Sequence, residues 1–285
     1  MTVLDTRVRP TSSRLPRTRH YVMCPPDHFA VEYAINPWMD TAVAVDHSRA
    51  LLQWDVLRNT YMSLGHHVDL VPPMPGQPDM VFSANGGLIV GDRAYGARFT
   101  FAERAAEGPA FAAWMRSQGL TVTEPGFTNE GEGDFLALGS MILAGTGFRT
   151  SLDAHIEAAA TLDRPVVSLE LIDPRFYHLD VALAVLDDGN GDTPADVAYY
   201  PGAFSRHSRR TLRELFPEAT IVSEADALVL GLNAVSDGQN VIVPSQARDF
   251  AEQLTDRGYT PVPVDLSEFL KSGGSVKCCT MERHR

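Results

Sequence analysis

Two thiols stand side by side in KSGGSVKCCTMERHR, the last fifteen residues, as Cys278 and Cys279. A free thiol is largely un-ionised at neutral pH, so a cysteine acting as a nucleophile needs a nearby cation, a base or a helix N-terminus. An imidazole is offered by RFYHLD as His178, and carboxylates by PDMVF (Asp79), FTNEGEGDF (Glu130, Glu132, Asp134) and HLD (Asp180). Each residue also has a plainer reading: a cysteine is commonly a small buried apolar group, and a histidine in a strand is commonly structural. Arg149, in GFRTS ahead of a helical stretch, is either a surface charge or a bidentate clamp for a carboxylate. A structural metal site built from Cys278, Cys279 and His284 is disfavoured, because adjacent cysteines chelate poorly and no C-x₂-C spacing occurs.

The elements that must bring these residues together follow a recurring pattern. Residues 43–64 carry apolar side chains at helical spacing, stop at Leu64-Gly65 and continue into the strand HVDLVPP. The scheme returns at 101–118 and 245–257, each followed by glycine and a strand, and without the glycine at SLDAHIEAAATLDR and SRHSRRTLRELFP. Pairs of short strands lie between, the first and last containing Asn85-Gly86 and Asp237-Gly238, a signal for tight hairpin turns. Strand, hairpin and helix repeated about five times predict an α/β fold whose units stack into a closed ring. The first unit is split: HYVMCPP is expected to pair with SVKCCTME, which puts Cys278 near an axis where loops from every unit meet.

Composition narrows the partners. The 285 residues carry a formal net charge of −12, which disfavours nucleic acid and anionic membranes and favours a cationic small molecule. No apolar run reaches the roughly 18 residues of a membrane span, and no secretory signal precedes the first unit, so a cytoplasmic location is expected. Three cysteines argue against a disulfide framework. Residues 1–19, with Arg7, Arg9, Arg14, Arg17 and Arg19, are expected to form a flexible basic tail ahead of one catalytic domain spanning 20–285. Self-association into a homo-oligomer is left open.

The ordered set PDMVFSANGG, EGEGDF, GFRTS, HLD and GGSVKCCT resembles the guanidino-group modifying enzymes of the pentein superfamily, over roughly residues 20–282. That group contains dimethylarginine dimethylaminohydrolase, arginine deiminase, arginine amidinotransferases and arginine dihydrolase. The resemblance implies a five-bladed pseudo-symmetric α/β propeller and a small guanidino amino acid as ligand, with no cofactor or metal. It implies Cys278 as nucleophile, with Cys279 left to packing, and His178 as general acid and base. Arg149 and Arg98 are implied near the substrate carboxylate, and Asp79, Asn36 and Asp180 among the substrate contacts. For the glutamate that grips the guanidinium it points to Glu130, with Glu132 as the alternative.

One position departs from most of that group. Where dimethylargininases and deiminases usually carry Asp, this chain has Asn85, which is either part of a hairpin turn or a functional change. A carboxylate only accepts hydrogen bonds, whereas an amide donates as well and so suits the carbonyl of a ureido group. Asn85 and the element Asn36-Pro37-Trp38-Met39 resemble arginine dihydrolase, which converts arginine through citrulline to ornithine. Dimethylargininase activity is the alternative expectation. Amidino-group transfer and a non-catalytic binding role rank below both.

Overall fold

The computed structural model describes residues 14–189 and 194–285. Its strands are β1 (His20–Met23), β2 (His67–Leu70), β3 (Gly87–Val90), β4 (Arg93–Gly96), β5 (Thr121–Thr123), β6 (Phe135–Leu138), β7 (Met141–Thr146), β8 (Val166–Glu170), β9 (Leu183–Asp187), β10 (Asp196–Tyr199), β11 (Thr220–Ile221), β12 (Val235–Ser236), β13 (Asn240–Pro244), β14 (Thr260–Val264) and β15 (Met281–His284). The helices are α1 (His47–Ser63), α2 (Glu107–Ser117), α3 (Leu152–Leu162), α4 (Arg206–Leu215), α5 (Glu224–Ala227), α6 (Arg248–Asp256) and α7 (Ser267–Leu270).

The mixed α/β pattern expected from the repeats is present. In each unit an antiparallel strand pair is followed by a helix, and a third strand then joins parallel to the second: β3-β4-β5, β6-β7-β8, β9-β10-β11 and β12-β13-β14. The split unit has the same plan, with β15 antiparallel to β1 (Tyr21↔Glu282) and β1 parallel to β2. Pairing of β15 with β3 merges two units into one six-stranded sheet. The first strands β3, β6 and β9 are buried almost throughout because both faces are covered, which explains their continuous apolar runs, whereas the outer strands β2, β5, β8 and β14 are partly exposed. Among the described residues no helix is long and apolar enough to cross a membrane.

Local chemistry sets the helix ends. Asp46 caps α1 by accepting from the Arg49 backbone N–H, Ser151 caps α3 through Ala154, and Gly65 at φ 86° ends the turn after α1. The second helix starts at Glu107, not near 101, since Ala102–Arg104 forms a separate 3₁₀ turn.

Two expectations about turns are corrected. Asn85-Gly86 is not the hairpin turn; Gly91, at φ 62°, supplies the left-handed residue between β3 and β4, and Ser83–Gly86 is a buried 3₁₀ turn ahead of the hairpin. The closing strand begins at Met281 and does not include 276–280. In that stretch the backbone N–H groups of Cys279 and Thr280 bond to Ser275 and Lys277, and that of Cys278 to a side chain, so no donors remain for a ladder. At the other end, residues 1–13 of the expected tail lie outside the described residues. Its described part, 14–19, is held by ion pairs of Arg14 with Asp196, Arg17 with Asp187 and Arg19 with Asp188 and Glu282.

Gly131 sits where a unit's turn meets its neighbour, at φ 53°, and an added Cβ would lie 2.5 Å from the Gly87 backbone nitrogen. G131A therefore combines left-handed strain with a backbone clash. It is expected to lose about 2 kcal/mol or more in denaturant unfolding, whereas a substitution at the open Gly119 should cost less.

Candidate active site

Each unit places a polar residue one to three positions ahead of its first strand: Asn85 before β3, Asp134 before β6, Asp180 before β9, Asn233 before β12 and Cys278 before β15. All five are buried. Buried polar groups must be bonded, and here they bond across unit boundaries. Asn85 Nδ2 donates to the Glu130 carbonyl (3.2 Å), the Leu179 N–H to Asp134 Oδ1 (3.0 Å), and Asn233 Nδ2 to the Asp180 carbonyl (3.1 Å). The Cys278 N–H donates to Asn233 Oδ1 (3.0 Å) and the Ala84 N–H to the Cys278 carbonyl (3.1 Å), which closes the circuit on the unit where it began.

A small cavity opens beside this circuit, its lining including Cys278, Asn36, Asp79, Asn85, Arg104, Arg149 and Tyr177. Cys278 Sγ donates to Asp180 Oδ2 at 3.2 Å and lies 3.1 Å from Asn233 Nδ2. Burial, and then the Asp180 charge, push the Cys278 thiol well above its usual range. Burial also pushes Asp180 up to about 7, and its Oδ1 has no partner. The thiol–imidazole pair expected from the sequence is not formed: the thiol proton goes to Asp180, the stronger acceptor, while His178 Nε2 bonds Glu130 Oε2 at 2.8 Å. A carboxylate accepts only, so Nε2 carries the hydrogen and the lone pair of a neutral His178 is on Nδ1. That atom and Asn85 Nδ2 both approach Gly133 from the side where a Cβ would project.

Glu130 is fully engaged. Besides His178 it pairs with Arg149 Nη1 (3.0 Å) and accepts from the Thr100 N–H. Burial alone would raise it, but the His178 hydrogen bond and the Arg149 charge outweigh burial and hold its carboxyl well below the usual range. Arg149, paired with Glu130, lies with its guanidinium 4.5 Å from the Phe101 ring centre and 4.8 Å from that of Tyr177, and it lines the cavity beside Cys278. Asp79 accepts from Tyr33 Oη (2.8 Å) and Ser272 Oγ (2.9 Å), and burial raises it against the pull of Arg104. Asn36 donates to the Ser272 carbonyl and accepts from the Trp38 N–H, anchoring the loop over the cavity.

Two expected residues lie elsewhere. Arg98 is exposed and bonds the Gly126 carbonyl, because its strand neighbour Asn129 directs it along the surface. Glu132 pairs with Lys277 and His284 in a different cavity, which Cys278 does not line. Glu130 and Glu132 thus part company across the turn: Glu130 bonds His178 and Arg149, the latter on the lining of Cys278's cavity, and Glu132 lines the other. Among the described residues no three His, Cys, Asp or Glu side chains are grouped to hold a metal.

Sequence reasoning missed Arg104 and Asn233. Arg104 is buried, pairs with Glu107 (2.7 Å) and donates to Asn85 Oδ1 (2.8 Å). In the sequence it resembles an ordinary i,i+3 surface pair at a helix start, and no local signal distinguishes it. Asn233 had a signal: it stands ahead of its hairpin as Asn85 does.

No protein-family model matches the chain. It is 56% identical over 282 residues to the N(G),N(G)-dimethylarginine dimethylaminohydrolase of Mycobacterium tuberculosis, covering 99% of this chain and 91% of that protein. It is 42% identical over 267 residues to the bifunctional arginine dihydrolase/ornithine cyclodeaminase ArgZ of Synechocystis sp., covering 91% of this chain but 37% of that longer protein. A crystal structure of the ArgZ N-terminal domain, an asparagine-to-serine variant covalently bonded to a reaction intermediate, matches with a TM-score of 0.88 at 40% identity, over 94% of this chain and 98% of that one.

Two measurements check the electrostatics. Because the Asp180 charge holds the proton on sulfur, D180N is expected to speed iodoacetamide alkylation of Cys278 at pH 8 by roughly tenfold, located by peptide mass mapping. Glu130 is depressed below its ordinary 4.5, so its pairing stabilises the fold fully above that pH and the stabilisation is lost as pH falls below it. E130Q should cost about 3–5 kcal/mol at neutral pH, and its unfolding midpoint should fall less steeply than the wild type's between pH 4.5 and more acid conditions.

Proposed function

The chain belongs to the pentein-superfamily group of dimethylarginine dimethylaminohydrolases and arginine dihydrolases, hydrolases of C–N bonds in linear amidines, and from that premise we propose that it hydrolyses arginine through citrulline to ornithine. Its five three-stranded units are read as the blades of a closed α/β propeller with Cys278 near the axis. Three free thiols, Cys24, Cys278 and Cys279, fit a reducing, cytoplasmic setting.

In this reading the guanidinium lies against Asp180, whose Oδ1 is unpartnered, and Asp79, while the buried guanidinium groups of Arg104 and Arg149 face the substrate carboxylate. Arrival of the cation favours the thiolate, and the thiol proton leaves by way of Asp180. Sulfur attacks the central guanidino carbon. The proton released from the thiol reaches Nδ1 of His178, which, oriented by Glu130, delivers it to the departing amino group, so that ammonia leaves and a thiouronium remains on Cys278; Nδ1 then takes a proton from water as its oxygen adds to the same carbon, and loss of sulfur releases citrulline and thiolate. Proton transfer by such a group is worth roughly 10²–10⁴ in rate. A second round on the ureido carbon expels another ammonia, and water releases the carbonyl as carbon dioxide. The sum is arginine and two waters giving ornithine, two ammonia and carbon dioxide.

The observation that carries the second round is the orientation of Asn85. Arg104 can only donate, so Asn85 presents its oxygen to Arg104 and its NH₂ towards Glu130 and Gly133. One N–H then remains for a ureido oxygen. An aspartate would pair with Arg104 and could offer acceptors only.

The relative with 56% identity supports a second reading, in which methylated arginine loses its methylamine and reaction stops at citrulline. The protein is to be incubated separately with arginine, citrulline and asymmetric dimethylarginine and the products resolved by amino-acid chromatography. Ornithine from arginine and from citrulline is expected; citrulline from dimethylarginine with none from arginine would overturn the proposal. N85D should cut ornithine formation from citrulline by roughly tenfold or more while arginine is still consumed, and C278S should abolish all turnover with its thermal unfolding retained.

A further inference from the structure

We propose that Asn233 is a positioning residue that fixes the sulfur of Cys278 and stabilises its thiolate through the side-chain N–H. The inference rests on Cys278 being the nucleophile, as proposed above.

Four hydrogen bonds tie Asn233 to the segment around the sulfur. Its carbonyl accepts from the Lys277 N–H (3.3 Å) and its Oδ1 from the Cys278 N–H (3.0 Å), while Nδ2 reaches both Cys278 Sγ (3.1 Å) and the Asp180 carbonyl (3.1 Å). These partners leave the amide one orientation. A backbone N–H must meet the amide oxygen and a backbone carbonyl must meet the NH₂, so the group facing sulfur is a donor. Such a donor bonds a thiolate more strongly than a thiol, because the bond becomes charge-assisted once sulfur is negative.

The backbone leading to Asn233 is held out of its ordinary range. Leu230 is fully buried and left-handed, at φ 55°, a conformation that a leucine keeps only where the surroundings enforce it. Gly231 follows it so closely against Asp226 that a Cβ would lie 2.7 Å from that residue's carbonyl oxygen. This bend delivers Asn233, itself fully buried, to the turn that carries the cysteine. Packing alone would not require a residue whose every side-chain polar atom is spent on the two chain segments that meet at Sγ.

Asp180 and Asn233 thus act on the sulfur in opposite senses. Asp180 accepts the thiol proton and holds the resting, protonated form; when that proton leaves and the electron pair stays on sulfur, Asn233 is the side-chain donor already in place. The other titratable or charged groups near the sulfur are Cys279 beside it in the chain and Tyr177, Asp79, Arg104 and Arg149 on the cavity lining. Changes at Asn233 leave all of them in place.

The test is the pH profile of Cys278 alkylation by iodoacetamide in the substrate-free protein, read by peptide mass mapping, for wild type, N233A and N233D. N233D matches the native side chain in size and gives the reading if alanine destabilises the turn. The expected result is an alkylation midpoint raised by about one pH unit in N233A and by more in N233D, where a carboxylate replaces the donor. With arginine as substrate, kcat should fall by roughly ten- to a hundredfold and KM should stay within about threefold, since the lost bond belongs to the reacting sulfur. An unchanged midpoint in a variant that melts like wild type would reduce Asn233 to a packing role and overturn the proposal. Persistent turnover in C278S would instead overturn the assignment of the nucleophile, an outcome the alkylation profile does not depend on.

Discussion

Polar turns buried at the meeting point of five units impose the constraint from which the rest of this structure follows. A buried polar atom without a partner costs about 1–3 kcal/mol, and each turn spends its backbone donors on its own short-range bonds, as Asn85 does on Phe82 and Asp134 on Gly131, which leaves further polar atoms to be met from outside the unit. The partners therefore come from the next unit: Asn85 to Glu130, Leu179 to Asp134, Asn233 to Asp180, Cys278 to Asn233, and Ala84 back to Cys278. The circuit links units and also aligns side chains. A polar residue fixed at one end by a neighbouring unit is held in one orientation, which is how the thiol of Cys278 and the amide of Asn85 come to line one cavity while Asp180 and Asn233 hold the sulfur from behind.

Charge is distributed by the same logic. Burial opposes every carboxylate at the centre, and each answers differently according to its partner. Glu130, held by His178 and Arg149, stays ionised; Asp180, whose partner is a thiol, is pushed up to about 7; Glu107 rises to about 7 by burial despite its ion pair with Arg104. An ionised glutamate that orients an imidazole and a readily protonated aspartate that meets the sulfur are different tools, made from nearly identical side chains by their surroundings. Lys277 and Cys278 show the division in adjacent residues. The ammonium turns to Glu132 in one cavity and the thiol to the other.

Much of this was legible in the residues. Helical periodicity followed by a strand, repeated, determined the α/β units, because apolar spacing depends on which face each element buries and that face is set locally. The polar stretches PDMVF, EGEGD, HLD and KCC, each leading into an apolar hairpin, marked the turns that now line the centre, and the Asn85 departure was visible as a change from acceptor to amide. What no stretch of sequence contained was direction. Whether Glu130 or Glu132 meets His178, whether Arg98 or Arg104 reaches the cavity, and whether the thiol bonds His178 or Asp180 all depend on partners elsewhere in the chain, from Arg104 with Asn85 at a separation of 19 to Glu132 with Lys277 at 145. Types and spacing of residues determined which groups were available; only the closure of the units decided which pairs would share a low-dielectric space, where the stronger acceptor wins the proton.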